Sequence, residues 1–154
     1  MMASVEIRDS RRPARVTFSW EHLEGFRSPL LRVGLHYGDE LGVSARILPG
    51  VQKSLIRFLE NLASLEAEGT WERRVLRSNE GEFGITSYLA RVSDGGREIR
   101  VVRCEFSLAS DWADQYWVVQ LCLDIEFSRL ASLTGQFRAF FASEGDFDPR
   151  DDPA

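Results

Sequence analysis

The sequence predicts an α+β fold: a curved antiparallel sheet of about seven to eight strands with two helices, in the order ββββ-α-ββββ-α. Three observations predict it. Four short segments of alternating or apolar character precede one stretch of helical periodicity, and four more precede a second such stretch. The signals between neighbouring segments, Gly38-Asp39-Glu40 and Asp94-Gly95-Gly96, belong to tight hairpins. Runs of strands broken by single helices indicate an antiparallel sheet with helices on its face.

Each element has its own warrant. Val5-Glu6-Ile7 opens a short strand, and SRRPAR (10–15) is a polar break. Val16, Phe18 and Trp20 then alternate with Thr17 and Ser19, the period of a half-buried strand. EHLEGFRSP (21–29) is a loop. Leu31, Val33, Leu35 and Tyr37 mark a strand over 30–37, and Leu41, Val43, Ala45 and Ile47 mark its hairpin partner over 41–48. The clearest helix is 49–69, where Val51, Leu55, Phe58, Leu62 and Leu65 recur at steps of three and four. Gly69 is a natural stop. A strand follows around Trp71, Arg73 and Val75, then SNEGE (78–82) turns the chain. Residues 83–92 and 97–108 form a hairpin closed at Asp94-Gly95 or Gly95-Gly96, and 115–126 is the last strand. The closing helix, 128–145, has Ser128 as N-cap and an apolar face of Leu130, Leu133, Phe137, Phe140 and Phe141. Gly135 inside it either marks a close approach to the sheet or has no role. The acidic segment 146–154 is expected to be a disordered tail, leaving one domain over 1–145.

Register sorts the second half of the chain into faces. Pairing Leu108 with Trp117 sets Phe106 against Val119, Cys104 against Leu121 and Val102 against Leu123, all apolar. A slip by one residue would place Phe106 against Gln120, and such a slip swaps the faces of a strand. This register leaves a four-residue loop, Asp111-Trp112-Ala113-Asp114. It puts Cys104 and Cys122 on opposite faces, which excludes a disulfide. Trp117, Val119, Leu121 and Leu123 are then core. The opposite face mixes Tyr88, Val101, Tyr116 and Val118 with Arg91, Arg103, Glu105 and Gln120. Such a face is either solvated or a partner interface.

Charge and composition narrow the function classes. The 154 residues carry a formal charge of −5, which argues against a nucleic-acid partner and suits a basic protein partner. Of the 19 basic residues only Lys53 is lysine, and the arginines are scattered as in a composition-wide drift. No apolar leader or spanning stretch is visible, so the chain is expected to be cytoplasmic with no membrane contact. His22 stands in Glu-His-Leu-Glu, but sequence neighbours do not share a face, so this is not ligand spacing. His36 lies near Asp39 and Glu40, where an acid–base pair is conceivable but an exposed strand histidine is the commoner case. Arg8, Arg11, Arg12 and Arg15 could attract phosphate, although Asp9 interrupts them and a solvated segment is the simpler reading. There is no phosphate loop, no metal-ligand spacing and no catalytic motif, so no cofactor, metal or enzymatic activity is expected.

What remains is the aromatic and acidic turn Asp111, Trp112, Asp114 and Tyr116, the residue types of an interaction hot spot for a basic partner. The overall pattern also resembles a known group. The helix VQKSLIRFLENLASL, the tryptophan after its glycine in GTWERR, and the closing LTGQFRAFF are similar, over residues 14–142, to small bacterial domains of the WapI-type immunity kind. That resemblance implies an acidic, cytosolic, non-enzymatic protein that neutralises a toxin by binding it. A second class of function is an apolar ligand held between a curved sheet and a helix, lined by the many phenylalanines.

Overall fold

The computed structural model describes residues 4–25, 27, 29–47, 50–68, 72–78, 81–110 and 117–144, with 66–68 described by backbone alone. Its elements are β1 (Ser4–Arg8), β2 (Ala14–Glu21), β3 (Leu30–Tyr37), β4 (Leu41–Ile47), α1 (Gln52–Glu68), β5 (Arg74–Arg77), β6 (Phe83–Asp94), β7 (Arg97–Ser110), β8 (Trp117–Ile125) and α2 (Phe127–Ala142). The order is ββββ-α-ββββ-α, with all pairings antiparallel. The eight strands divide into two four-stranded meanders, β1-β2-β3-β4 and β5-β6-β7-β8. The chain thus builds the same unit twice, four strands and a helix, where strand periodicity alone suggested one sheet. Periodicity finds strands and their faces; it does not say that α1 closes one sheet before the next begins.

Local chemistry explains the hairpins. Gly38 has φ 62° in the β3–β4 turn, and Gly95 and Gly96 have φ 58° and 81°. Positive φ at both central residues is what a two-residue I′ turn requires, and Asp94 pairs with Arg97 across it. The inward faces of both sheets share one core with both helices. Phe18 of β2 meets Phe83 of β6 edge-on at 5.9 Å and Phe137 of α2 at 4.9 Å. Trp20 stacks on Phe140 at 5.0 Å and donates its indole N–H to the Phe140 carbonyl at 3.1 Å. The predicted stripe of α1, Val51 to Leu65, is buried, and so are Ile56 and Leu59 beside it. Arg138 of α2 is ion-paired with Glu60 of α1.

Three local expectations need correction, and one open alternative is resolved. Ser128 is not the N-cap of α2: β8 runs to Ile125, so Glu126 holds the cap position, without a side-chain cap bond. The strand after α1 buries Leu76 and leaves Val75 55% exposed. The β7–β8 register differs by two residues, with Leu108 opposite Val119 and Val102 opposite Ile125. That shift keeps every face assignment but sets Arg103 opposite Asp124 and adds Ile125 to the core. It also lengthens the connection to 111–116, and it leaves Val119 37% exposed and Trp117 and Leu121 only partly buried at the start of the strand. Gly135 is not a close approach, since a Cβ there meets nothing within 4 Å.

A buried polar cluster is among the contacts that tie the two units together. The β1–β2 turn carries Asp9, whose Oδ1 accepts the N–H groups of Arg11 and Arg12 at 2.8 and 2.6 Å. Its Oδ2 accepts the Asp124 N–H from β8 at 2.7 Å, and the Ser10 N–H returns a bond to the Asp124 carbonyl at 3.0 Å. The fully buried Asp124 carboxylate takes a bidentate bond from Arg103 at 2.8 and 3.2 Å, with Arg11 and Arg12 at 3.2 and 3.3 Å. Removing one partner from such a cluster strands the others, which is where buried ion pairs are costly. Burial alone would raise the Asp9 carboxyl, but the N–H groups of Asp124, Arg12 and Arg11 and the Arg12 guanidinium together hold it below its ordinary 3.8.

Three outcomes are expected. Asp124→Ala should lower unfolding free energy by about 3 kcal/mol in urea titration, the low end for a broken buried pair because its arginines are partly exposed. Gly135→Ala should raise it by about 0.5–1 kcal/mol, since helix propensity improves and the site is open. With a lowered folded pKa, Asp9 contributes stability above its unfolded value that is lost as pH falls through the folded one. The acid limb of a stability–pH profile should therefore flatten in Asp9→Asn.

Candidate functional site

The mixed face singled out in the sequence is the outward face of β5-β6-β7-β8. Strand alternation places Thr86, Tyr88, Glu105, Ser107, Gln120 and Cys122 on it. Arg91 belongs to the other face, in line with Ile85, Ser87 and Leu89, while Ala90 and Val92 take the mixed side. The face has two ends of different character. At one end Ala90, Val92 and Val101 form a small buried cluster with Ile99, beside Arg11, which bonds both Ser93 O and Asp124. That end is structural. The basic segment Arg11–Arg12, read from sequence as a solvated run, is consumed there by Asp9 and Asp124.

The other end is open. A groove of about 270 Å³ runs across β5 to β8, floored by Gly84 and walled by Thr86, Glu105, Ser107 and Gln120. A Cβ on Gly84 would come within 3.0 Å of Ser107 Oγ and 3.4 Å of the Leu76 carbonyl, so glycine keeps the floor low. Val75 on β5 and Val118 on β8 flank it, 55% and 47% exposed. Beside the groove, Tyr88 donates its hydroxyl to Glu105 Oε1 at 2.9 Å. The Arg73 guanidinium lies 4.6 Å from the Tyr88 ring centroid and 3.8 Å from Glu105 Oε2. Burial, then the Glu105 carboxylate, raises the Tyr88 phenol above its ordinary value, so it stays a hydrogen-bond donor at neutral pH. Tyr88 and Glu105 are thereby hydrogen-bonded to each other, with the Arg73 guanidinium over the ring.

The predicted recognition residues Asp111, Trp112, Asp114 and Tyr116 lie outside the described residues. Their connection leaves β7 after Ser110 and re-enters at Trp117, and Ala109 and Val118, next to those two residues, both line the groove. The chain matches no protein-family model and no curated protein. The site must therefore be judged on its own chemistry.

His22 is 69% exposed, with Nε2 3.4 Å from Glu144 Oε1. His36 does not pair with Asp39 or Glu40; its Nε2 is 3.1 Å from Thr17 Oγ1, and its ring lies over Gly34 and Gly42 on the outer face of the other sheet. Among the described residues no cluster of three potential metal ligands occurs, and no helix is long and apolar enough to cross a membrane. Cys104 is buried, and burial pushes its thiol up to about 12, although Ser87 bonds it. Cys122 is partly exposed; burial raises it, Arg103 opposes the rise, and Asp124 adds to it. Thr86, Ser107 and Gly84 were not singled out from sequence, although a glycine inside a strand is a recognised sign of close approach. In the native protein a thiol-reactive chromogen should therefore modify Cys122 slowly and Cys104 only on unfolding. Two equally fast thiols would contradict this placement.

Proposed function

We propose that the chain is a non-enzymatic, cytosolic protein-binding module of the immunity-like kind, which neutralises a basic partner protein by covering it. Its contact surface is the open end of the mixed face with the adjoining 111–116 connection. The observation that carries this reading is the Arg73–Tyr88–Glu105 group, fixed beside a groove between two exposed valines. Tyrosine and arginine anchors with apolar flanks are the usual residue types of binding hot spots. Glu105, with Asp111 and Asp114 in the segment that follows β7 in sequence, within a chain of charge −5, favours a basic partner. The apolar-ligand reading draws less support, because Phe18, Phe83, Phe137, Phe140 and Phe141 spend their faces on one another and on Trp20.

The test is co-purification with the products of neighbouring genes, followed by titration of the captured protein. Tyr88→Ala, and Trp112→Ala combined with Asp114→Ala, should each weaken the complex at least tenfold while the fold is retained. Wild-type affinity in both variants would show that the partner docks elsewhere.

A further inference from the structure

A second groove shares no lining residue with the first, and what it could bind does not depend on the function proposed above. It runs between the free edge of β1 and helix α2, with a volume of about 450 Å³, within the usual range of ligand sites of about 300–1,000 Å³. Its floor is apolar: Val5 and Leu133 are each 3% exposed. Arg8 and Arg129 stand at one end and Ser4 and Gln136 at the other.

The outer edge of β1 has no strand partner among the described residues. There β1 pairs with β2, and the Asp9 N–H bonds the Ala14 carbonyl, continuing that ladder. Antiparallel alternation then turns the main-chain groups of Val5 and Ile7 toward β2 and those of Ser4, Glu6 and Arg8 away from it. An independent contact agrees: the Arg8 carbonyl accepts an outward bond from Arg129 Nη1 at 2.9 Å. The lining also carries Glu6 against Arg8 and Arg129, which leaves one positive charge in excess. Glu6 is already engaged by Arg8 at 2.8 Å and by Arg15 at 3.9 Å. No carboxylate among the described residues lies within ion-pair distance of Arg129. The groove is therefore locally basic in an acidic chain.

We propose that this groove takes an extended peptide segment bearing carboxylate side chains, added as a fifth strand beside β1. The Glu6 N–H and C=O and the Arg8 N–H supply the ladder bonds. Val5 and Leu133 receive the side chains that point down, and Arg129, the arginine without a carboxylate partner among the described residues, receives a carboxylate. This is strand addition at a sheet edge with a helix as the second wall.

The probe is a fluorescein-labelled Val-Asp-Val-Asp-Val-Asp peptide, followed by anisotropy against the full chain at low salt, with the Lys-for-Asp peptide as control. Saturable binding of the acidic peptide alone is expected, weakened at least fivefold by Arg129→Gln. Glu6→Pro deletes the outward N–H without touching the β2 ladder, so it should weaken binding well beyond Glu6→Gln. Methylating one alternate set of peptide nitrogens should abolish binding and the other set should not, a test that leaves the protein unchanged. Equal binding of both peptides, or indifference to both the proline and the methylations, would overturn the proposal.

Discussion

The Asp9–Asp124 cluster is the contact on which the rest of the structure depends. Two short acidic side chains, both removed from water, are reached by three arginines and three main-chain N–H groups. Such a cluster has no value as a solvated surface pair, because exposed ion pairs contribute little. Its effect comes from burial: every group in it needs all the others, and they come from the β1–β2 turn, β7 and β8. The two ββββα units are thereby fixed against one another at one corner, while the phenylalanine core of Phe18, Phe83 and Phe137 joins them through the middle.

This corner also decides how much of the mixed face is available. A sheet face carrying valines, a tyrosine and several charges looks uniform in sequence. In the fold, one end of it is closed by the turn and by Ala90, Val92 and Val101, and only the end toward Ser107, Gln120 and Val118 remains open. The arginines that look most like a free basic patch are the ones already committed. The open end offers donors, an acceptor and apolar flanks, and the Tyr88 phenol there is raised above its ordinary value by burial and by Glu105.

Much of this was legible from residue patterns. Strand alternation placed Phe83, Ile85, Cys104 and Phe106 on one face, and the helical stripe from Val51 to Leu65 named the buried side of α1. Parity also separated Cys104 from Cys122, and it survived a two-residue error in register because a shift of two preserves faces. The error itself had a physical source: apolar matching alone cannot choose between registers that differ by two. The choice rested on Arg103 meeting Asp124, a buried ion pair that hydrophobic matching does not weigh. The division into two sheets was not legible for a similar reason, since local patterns specify strands but not which strands share a ladder. The groove beside α2 was invisible in sequence because it is formed by a main-chain edge, and backbone groups leave no residue signature.

Hydrogen exchange of the native protein, read amide by amide, tests the central claim most directly. The N–H groups of Ser10, Arg11, Arg12 and Asp124 all bond within the cluster. If the cluster joins the two units, these amides exchange only through global unfolding and show the same free energy as Phe106 in the middle of β7. Fast exchange of these four through a local opening, with Phe106 still fully protected, would contradict the account.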